Sequence, residues 1–144
     1  NEKSYWDTIE SSKKPLVATH SNVYSLSKST RNLTDEQINA IGNCHGVIGV
    51  NFSAGFIRSD GLPNRDTLIE DLINHIDYIV DLIGIDGVAI GSDYDGAMII
   101  NDLKNVEHLP KLLQTLKRNR YSKSEIAKIC YRNWFRILKS TWET

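Results

Sequence analysis

An α/β fold built on parallel strands is what this sequence predicts, and three observations carry the prediction. Residues 16–19, 46–50 and 87–90 are short apolar runs of small and branched side chains, too short for helices and flanked by polar residues or glycine. Such runs fit parallel strands covered on both faces. Each breaks abruptly into polar residues: His20-Ser21-Asn22, Asn51, and Asp93 with Asp95. Between them lie helical patterns, with the spacing of βαβ units. In parallel α/β architectures, ligands and catalytic groups gather at the carboxyl ends of the strands, which makes Asp93 the first residue to mutate.

In chain order, residues 2–12 place Tyr5, Trp6 and Ile9 on one helical face, and Lys13-Lys14-Pro15 supplies cations and a stop. The first strand, 16–19, delivers His20. A polar loop from Val23 to Leu33 follows, carrying Lys28 and Arg31, and it is long for a simple connection. Thr34 and Gln37 have the spacing of a capping box, predicting a helix to about Asn43 with Ile38, Ala40 and Ile41 inward and His45-Gly46 as its stop. The second strand, 46–50, delivers Asn51 and leads into a Gly/Pro/Asp-rich loop to Asn64, expected to be mobile.

Thr67 and Glu70 read as a second capping box. The helix they open carries Ile69, Leu72, Ile73, Ile76, Val80 and Ile83 at helical spacing and ends at Gly84. The third strand ends in Gly91-Ser-Asp-Tyr-Asp-Gly96. A helix over 105–119, with Pro110 in its first turns, precedes a last helix opened by a Ser122–Glu125 capping box, with Ile126, Ile129, Trp134, Ile137 and Leu138 as its stripe.

At 144 residues, 40% hydrophobic and a net charge of −1, the chain is one ordinary globular piece of domain size. No basic stripe points to nucleic acid, no apolar run is long enough for a bilayer, and the start carries no signal-peptide pattern. Cys44 and Cys130 are isolated thiols, fitting a reducing compartment and buried packing positions. G-x-S-x-G, P-loop and H-E-x-x-H patterns are absent, so serine-nucleophile and nucleotide-phosphate chemistries lose support. Three strands cannot close a barrel and would leave two edges open, and the chain begins on Asn1 rather than methionine. The expectation is therefore the C-terminal part of a (β/α)8 TIM-type barrel, about three βα units plus a terminal helix, with the N-terminal half missing.

His20 at a strand end is a metal ligand, a general base or a capping histidine, and beside Asp93 on a parallel strand the first two gain weight. A hydrolytic zinc site wants about three protein ligands plus water, and His20 is the one good histidine in this piece. His45, at a helix end, His75, beside core positions, and His108, near Pro110, read as structural or solvated. Arg31 is either a solvated charge or a bidentate clamp for a substrate carboxylate. Asp95 reads as turn geometry. Phe52 and Phe56 read as packing.

His20-Ser-Asn, Arg31-Asn-Leu-Thr-Asp-Glu-Gln, Gly46-Val-Ile-Gly-Val-Asn-Phe and Gly87-Val-Ala-Ile-Gly-Ser-Asp-Tyr-Asp-Gly, in this order and spacing, resemble the membrane (renal-type) dipeptidases, metallopeptidase family M19. The likeness runs along nearly the whole chain, through His75-Ile-Asp-Tyr-Ile to Asn133-Trp-Phe-Arg-Ile-Leu. It implies a barrel of the metallo-dependent hydrolase kind with two zinc ions at its mouth, cleaving dipeptides, in bacteria often including those with a D-residue. Of the family's metal ligands only the last histidine maps here, onto His20; the others belong upstream. Arg31 matches the arginine that holds the substrate's carboxylate. Asp93 matches the aspartate that contacts the substrate and shuttles the proton of the metal-bridging water. Thr19 stands where serine is common. The implied partners are a dipeptide and the missing half of the barrel, with a homodimer left open and neither nucleic acid nor a membrane segment expected. The implied location is cytoplasmic. This fragment alone is expected to be inactive and its zinc centre absent or incomplete. The competing expectation is a non-catalytic binding or scaffold domain derived from a split or decayed barrel.

Overall fold

The computed structural model describes residues 2–142, and its centre is a three-stranded sheet in the order β1 (Val17–Ala18), β2 (Val47–Val50), β3 (Val88–Ile90). Both pairings are parallel, with Ala18 opposite Ile48 and Val50 opposite Ile90. All four residues of β2 are buried, as a central strand of branched residues requires, whereas Val17 on β1 is 38% exposed at an open edge. A β-carbon on Gly49 would lie 2.3 Å from the Thr19 carbonyl oxygen, and one on Gly91 would lie 2.1 Å from the same atom. The strand ends close up because both positions are glycine.

Helices α2 (Asp35–Asn43) and α4 (Ile69–Ile83) pack against this sheet, and α1 (Glu2–Ser11) reaches α2. In α1 the half-buried residues include Tyr5, Trp6 and Ile9, the face expected from spacing, and the Tyr5 hydroxyl donates to the Gln37 carbonyl of α2 at 2.7 Å. The Thr34–Gln37 capping box forms in full, and Ile38 and Ile41 are buried beneath it, with Ala40 at the margin. His45 ends that helix in a left-handed conformation, φ 55°, ahead of Gly46.

The Thr67–Glu70 box does not form. The Thr67 hydroxyl is spent on the Asn64 carbonyl, at 2.6 Å, and Leu68 caps α4 with its backbone alone. Along α4, Ile79 takes a fully buried place, while Val80 and Ile83, expected in the stripe, are half-buried. Gly84 ends the helix at φ 81°, as expected. His75, also buried, is a satisfied core histidine. Its Nδ1 accepts the Val23 N–H at 3.1 Å, so the ring proton sits on Nε2, 2.9 Å from the Ile57 carbonyl oxygen it reaches.

The loop after β2 contains a helical turn, α3 (Ala54–Ile57), and an antiparallel bridge between Ser53 and Ile99, neither of which the sequence pattern announces. The expected 105–119 helix starts as a 3-10 turn and becomes α5 (Leu109–Arg118) at Pro110. The last helix is interrupted. After the Ser122–Glu125 capping box, α6 (Lys123–Ala127) passes into a π-helical turn over Lys128–Arg132 and re-forms as α7 (Asn133–Trp142). The wide turn brings polar Asn133 inward, 2% exposed, while Leu138 is 36% exposed rather than part of the stripe. Asn133 Nδ2 donates to the Ile85 and Val88 carbonyls at 2.8 and 2.7 Å, and Trp134 Nε1 donates to Ile90 at 3.0 Å. Arg136 donates to the carbonyls of His45, Gly46 and Asp86 at the opposite end. α7 thus grips β3 from both ends. Cys44 and Cys130 are free thiols, half-buried rather than core.

Candidate active site

Parallel register places the carboxyl ends of all three strands along one rim. The ladder runs on past the strands: Ser21 N–H donates to Gly49 at 2.8 Å, Gly91 N–H to Val50 at 3.0 Å, and Phe52 N–H to Ser92 at 3.2 Å. His20, Asn51 and Asp93 therefore leave neighbouring strands at this end of the sheet.

Two buried asparagines tie the rim together. Asn22 Oδ1 accepts the Asn51 N–H and Asn22 Nδ2 donates to the Asn51 carbonyl, both at 2.9 Å. The Asn51 side chain accepts the Ser53 N–H on Oδ1 at 2.8 Å and donates from Nδ2 to Asp93 Oδ2 at 2.9 Å. Asp93 is half-buried and adopts φ 60°, a left-handed conformation that aspartate tolerates better than most residues. Its Oδ1 lies over Gly96, where a β-carbon would come within 2.6 Å of it. Asp95, also left-handed at φ 64° but exposed, fits the turn role expected of it. Tyr94 between them packs edge-to-face on the buried Phe52, and burial pushes its phenol pKa up.

Arg31 reaches back to β1 because its loop is pinched shut. Val23 and Leu33 form a parallel bridge, and Asn32 Nδ2 donates to Ser27 and Phe56 at 3.0 and 2.9 Å. Exposed Arg31 then approaches His20, with Nη2 3.5 Å from Nε2, while the Thr19 hydroxyl lies 2.6 Å from Nδ1. A guanidinium only donates, so this pairing presents the Nε2 lone pair toward Arg31 and leaves the ring proton on Nδ1 for Thr19. Arg31 also lines a cavity of about 540 Å³ with Tyr5, Tyr24 and Gln37.

The structure thus brings Arg31 to His20, and Asp93 to Asn51, with the Asn22–Asn51 pair linking the two sides. Nε2 of His20 is chemically suited to be one metal ligand. Among the described residues no group of three or more His, Cys, Asp or Glu could hold a metal ion, so this donor set is not a metal centre by itself.

The comparisons with known proteins fall on this same arrangement. The family model described as membrane dipeptidase (peptidase family M19) matches residues 1–144. The chain belongs to peptidase family M19. Among M19 structures, a dipeptidase described as a metallopeptidase of the family superposes with a TM-score of 0.97 at 38% identity, over 100% of this chain and 43% of that one. A metallopeptidase from Rhodobacter sphaeroides, solved with a phosphinate mimic of the dipeptide L-Ala-D-Ala, gives 0.96 at 39% identity, over 99% of this chain and 40% of that one. In sequence, an uncharacterized Klebsiella pneumoniae protein from the pqqA 5' region is 45% identical over 143 residues, 99% of this chain and 53% of its own length. The dipeptidase ataJ of Aspergillus terreus is 35% identical over 140 residues, 96% of this chain and 34% of its own. The M19 segment therefore spans about half or less of these relatives, and its three-stranded parallel sheet is part of their barrel-like fold, as the unclosed sheet led one to expect. Among its described residues no helix is long and apolar enough to cross a membrane.

What the sequence pattern missed at the rim is Asn22 and the use of Asn51. Both are fully buried asparagines next to apolar strands. A fully buried amide next to an apolar strand is a signal of a buried polar network.

Proposed function

We propose that this chain is part of a metal-dependent dipeptidase, in which Arg31 and Asp93 bind the dipeptide, Asp93 manages the proton, and His20 supplies one ligand to a zinc centre whose other ligands lie outside the 144 residues. The observation that supports this most is the placement of a hydrogen-bonded carboxylate, Asp93, on the same strand-end rim as an imidazole faced by an arginine, within a segment that matches the family end to end.

Each residue's chemistry suits its role. Arg31 sits on a tethered loop with an exposed guanidinium, which can take a terminal carboxylate in a two-pronged geometry and so fix the dipeptide's register. Asp93, held at one oxygen, can accept the proton that the attacking water gives up and return it to the departing amine. His20 keeps Nε2 unprotonated through its Nδ1 contact with Thr19. The L-Ala-D-Ala mimic bound by the Rhodobacter sphaeroides metallopeptidase makes a dipeptide with a C-terminal D-alanine the first substrate to try.

The experiment is hydrolysis of L-Ala-D-Ala by the full-length polypeptide, before and after chelation and zinc return. Metal-dependent turnover that Asp93→Asn reduces by about a thousandfold, and that Arg31→Ala weakens mainly through KM, is the expected result. Zinc binding without turnover would favour the scaffold reading instead. The 144-residue segment alone is expected to be inactive, because the donors among its described residues do not complete a metal centre.

A further inference from the structure

Asn51 has no assigned role in the reaction, yet it is fully buried and every polar atom it owns is committed. The commitments fix its orientation. Because Oδ1 must accept the Ser53 N–H, the amide cannot flip, and its NH2 is obliged to face Asp93. The backbone on either side is clamped by Asn22, another fully buried residue, which sits two positions beyond His20.

We infer that Asn51 is a positioning residue that pins Asp93 Oδ2, so that Oδ1 is the oxygen that exchanges a proton during hydrolysis. The two oxygens are made unequal by their surroundings. Oδ2 receives the amide hydrogen of Asn51 at 2.9 Å, and protonating it would set one donor against another. Oδ1 has no hydrogen-bond donor among the described residues, and it lies where a β-carbon on Gly96 would come within 2.6 Å of it. Asp93 lies past the end of β3, at the start of a turn closed by the Gly96 N–H on its carbonyl, and the Asn51 amide is the donor that holds its carboxylate. The assignment rests on the dipeptidase reading above, and the test separates the two.

The test is a double-variant cycle in the full-length polypeptide: Asn51→Asp, Asp93→Asn, and the two together, read as kcat and KM on L-Ala-D-Ala with zinc present and as melting temperature. Asn51→Asp keeps the acceptor for Ser53 and the backbone bonds to Asn22 but turns the donor facing Asp93 into a second acceptor. Its kcat is expected to fall about 10- to 100-fold with KM nearly unchanged. Asp93→Asn is expected to be far less active, and adding Asn51→Asp to it should cost nothing more, because the pair then shares the same bond with donor and acceptor exchanged. The exchanged pair should also melt within a few degrees of the native protein. If the two losses multiply, or if Asn51→Asp leaves kcat intact while Asp93→Asn abolishes it, the positioning role is wrong and the dipeptidase reading stands. If Asp93→Asn itself retains full activity, the dipeptidase roles fail first. If neither Asn51→Asp nor the exchanged pair folds, Asn51 serves the core rather than the site, and the inference is likewise overturned.

Discussion

Replacing Asn133 by alanine tests whether a helix at the back of the sheet sets the position of the strand that carries Asp93. The Asn133 side chain, 2% exposed, sends both amide hydrogens to backbone carbonyls, Ile85 at 2.8 Å and Val88 at 2.7 Å. Alanine removes both donors and leaves two inward carbonyls without that partner. Each stranded buried group costs about 1–3 kcal/mol, and the vacated volume adds to it, so the expected loss of stability is about 2–5 kcal/mol. Trp134 still donates to Ile90 and Arg136 still holds three carbonyls, so the fold should survive. Urea denaturation of the full-length polypeptide reads the loss as a lowered midpoint with an unchanged slope, and a steady-state assay on the same sample reads kcat. Asn133→Asp should be as harmful, since a carboxylate would face two carbonyl oxygens. A loss below about 0.5 kcal/mol would refute the reasoning, because it would mean that the π-helical turn and not Asn133 holds β3.

Gly96→Ala should lower kcat by about tenfold or more with little change in melting temperature, because the new methyl group comes within 2.6 Å of Asp93 Oδ1 and must push the carboxylate aside. His75 gives the chain a pH dependence: burial holds its pKa below the ordinary histidine value, against weaker opposing pulls from its hydrogen bond to the Ile57 carbonyl and from Asp71. The unfolded state therefore takes up the proton first. Stability is complete above about pH 6.5 and declines as pH falls from there through the lower folded-state value. Melting temperatures at pH 7.5 and 5.5 should differ less in His75→Gln, whose amide can make the same two bonds without titrating. Thr34→Ala should cost about 1 kcal/mol by thermal denaturation, since it removes one half of the α2 capping box, which Gln37 cannot replace.

The sheet was legible because its information is local. Each strand is a short apolar run with a polar end, and a run of that kind can be read residue by residue. The caps show where local reading stops. Three boxes have the same spacing, yet only those at Thr34 and Ser122 form, while Thr67 is captured by Asn64 three residues earlier. Spacing states what a hydroxyl could do, and competition from a nearby carbonyl decides what it does. The last helix fails for a related reason. A period of 3.6 predicts Leu138 inward, but the π-helical turn over Lys128–Arg132 shifts the later residues around the axis and buys a buried place for Asn133.

The rim repeats this division. His20, Arg31 and Asp93 could be picked out as candidates because charged or titratable residues next to strand ends are conspicuous. The contact between Asn51 and Asp93 could not, because it joins residues 42 apart through a register that only the sheet supplies. The conspicuous residues are those with chemistry of their own, whereas the asparagines that aim them are neutral, buried and read as ordinary strand ends. Asn22 and Asn51 carry the parallel register of β1, β2 and β3 across to the Asp93 carboxylate, so the packing of the sheet and the placing of Asp93 Oδ2 are set by the same hydrogen bonds.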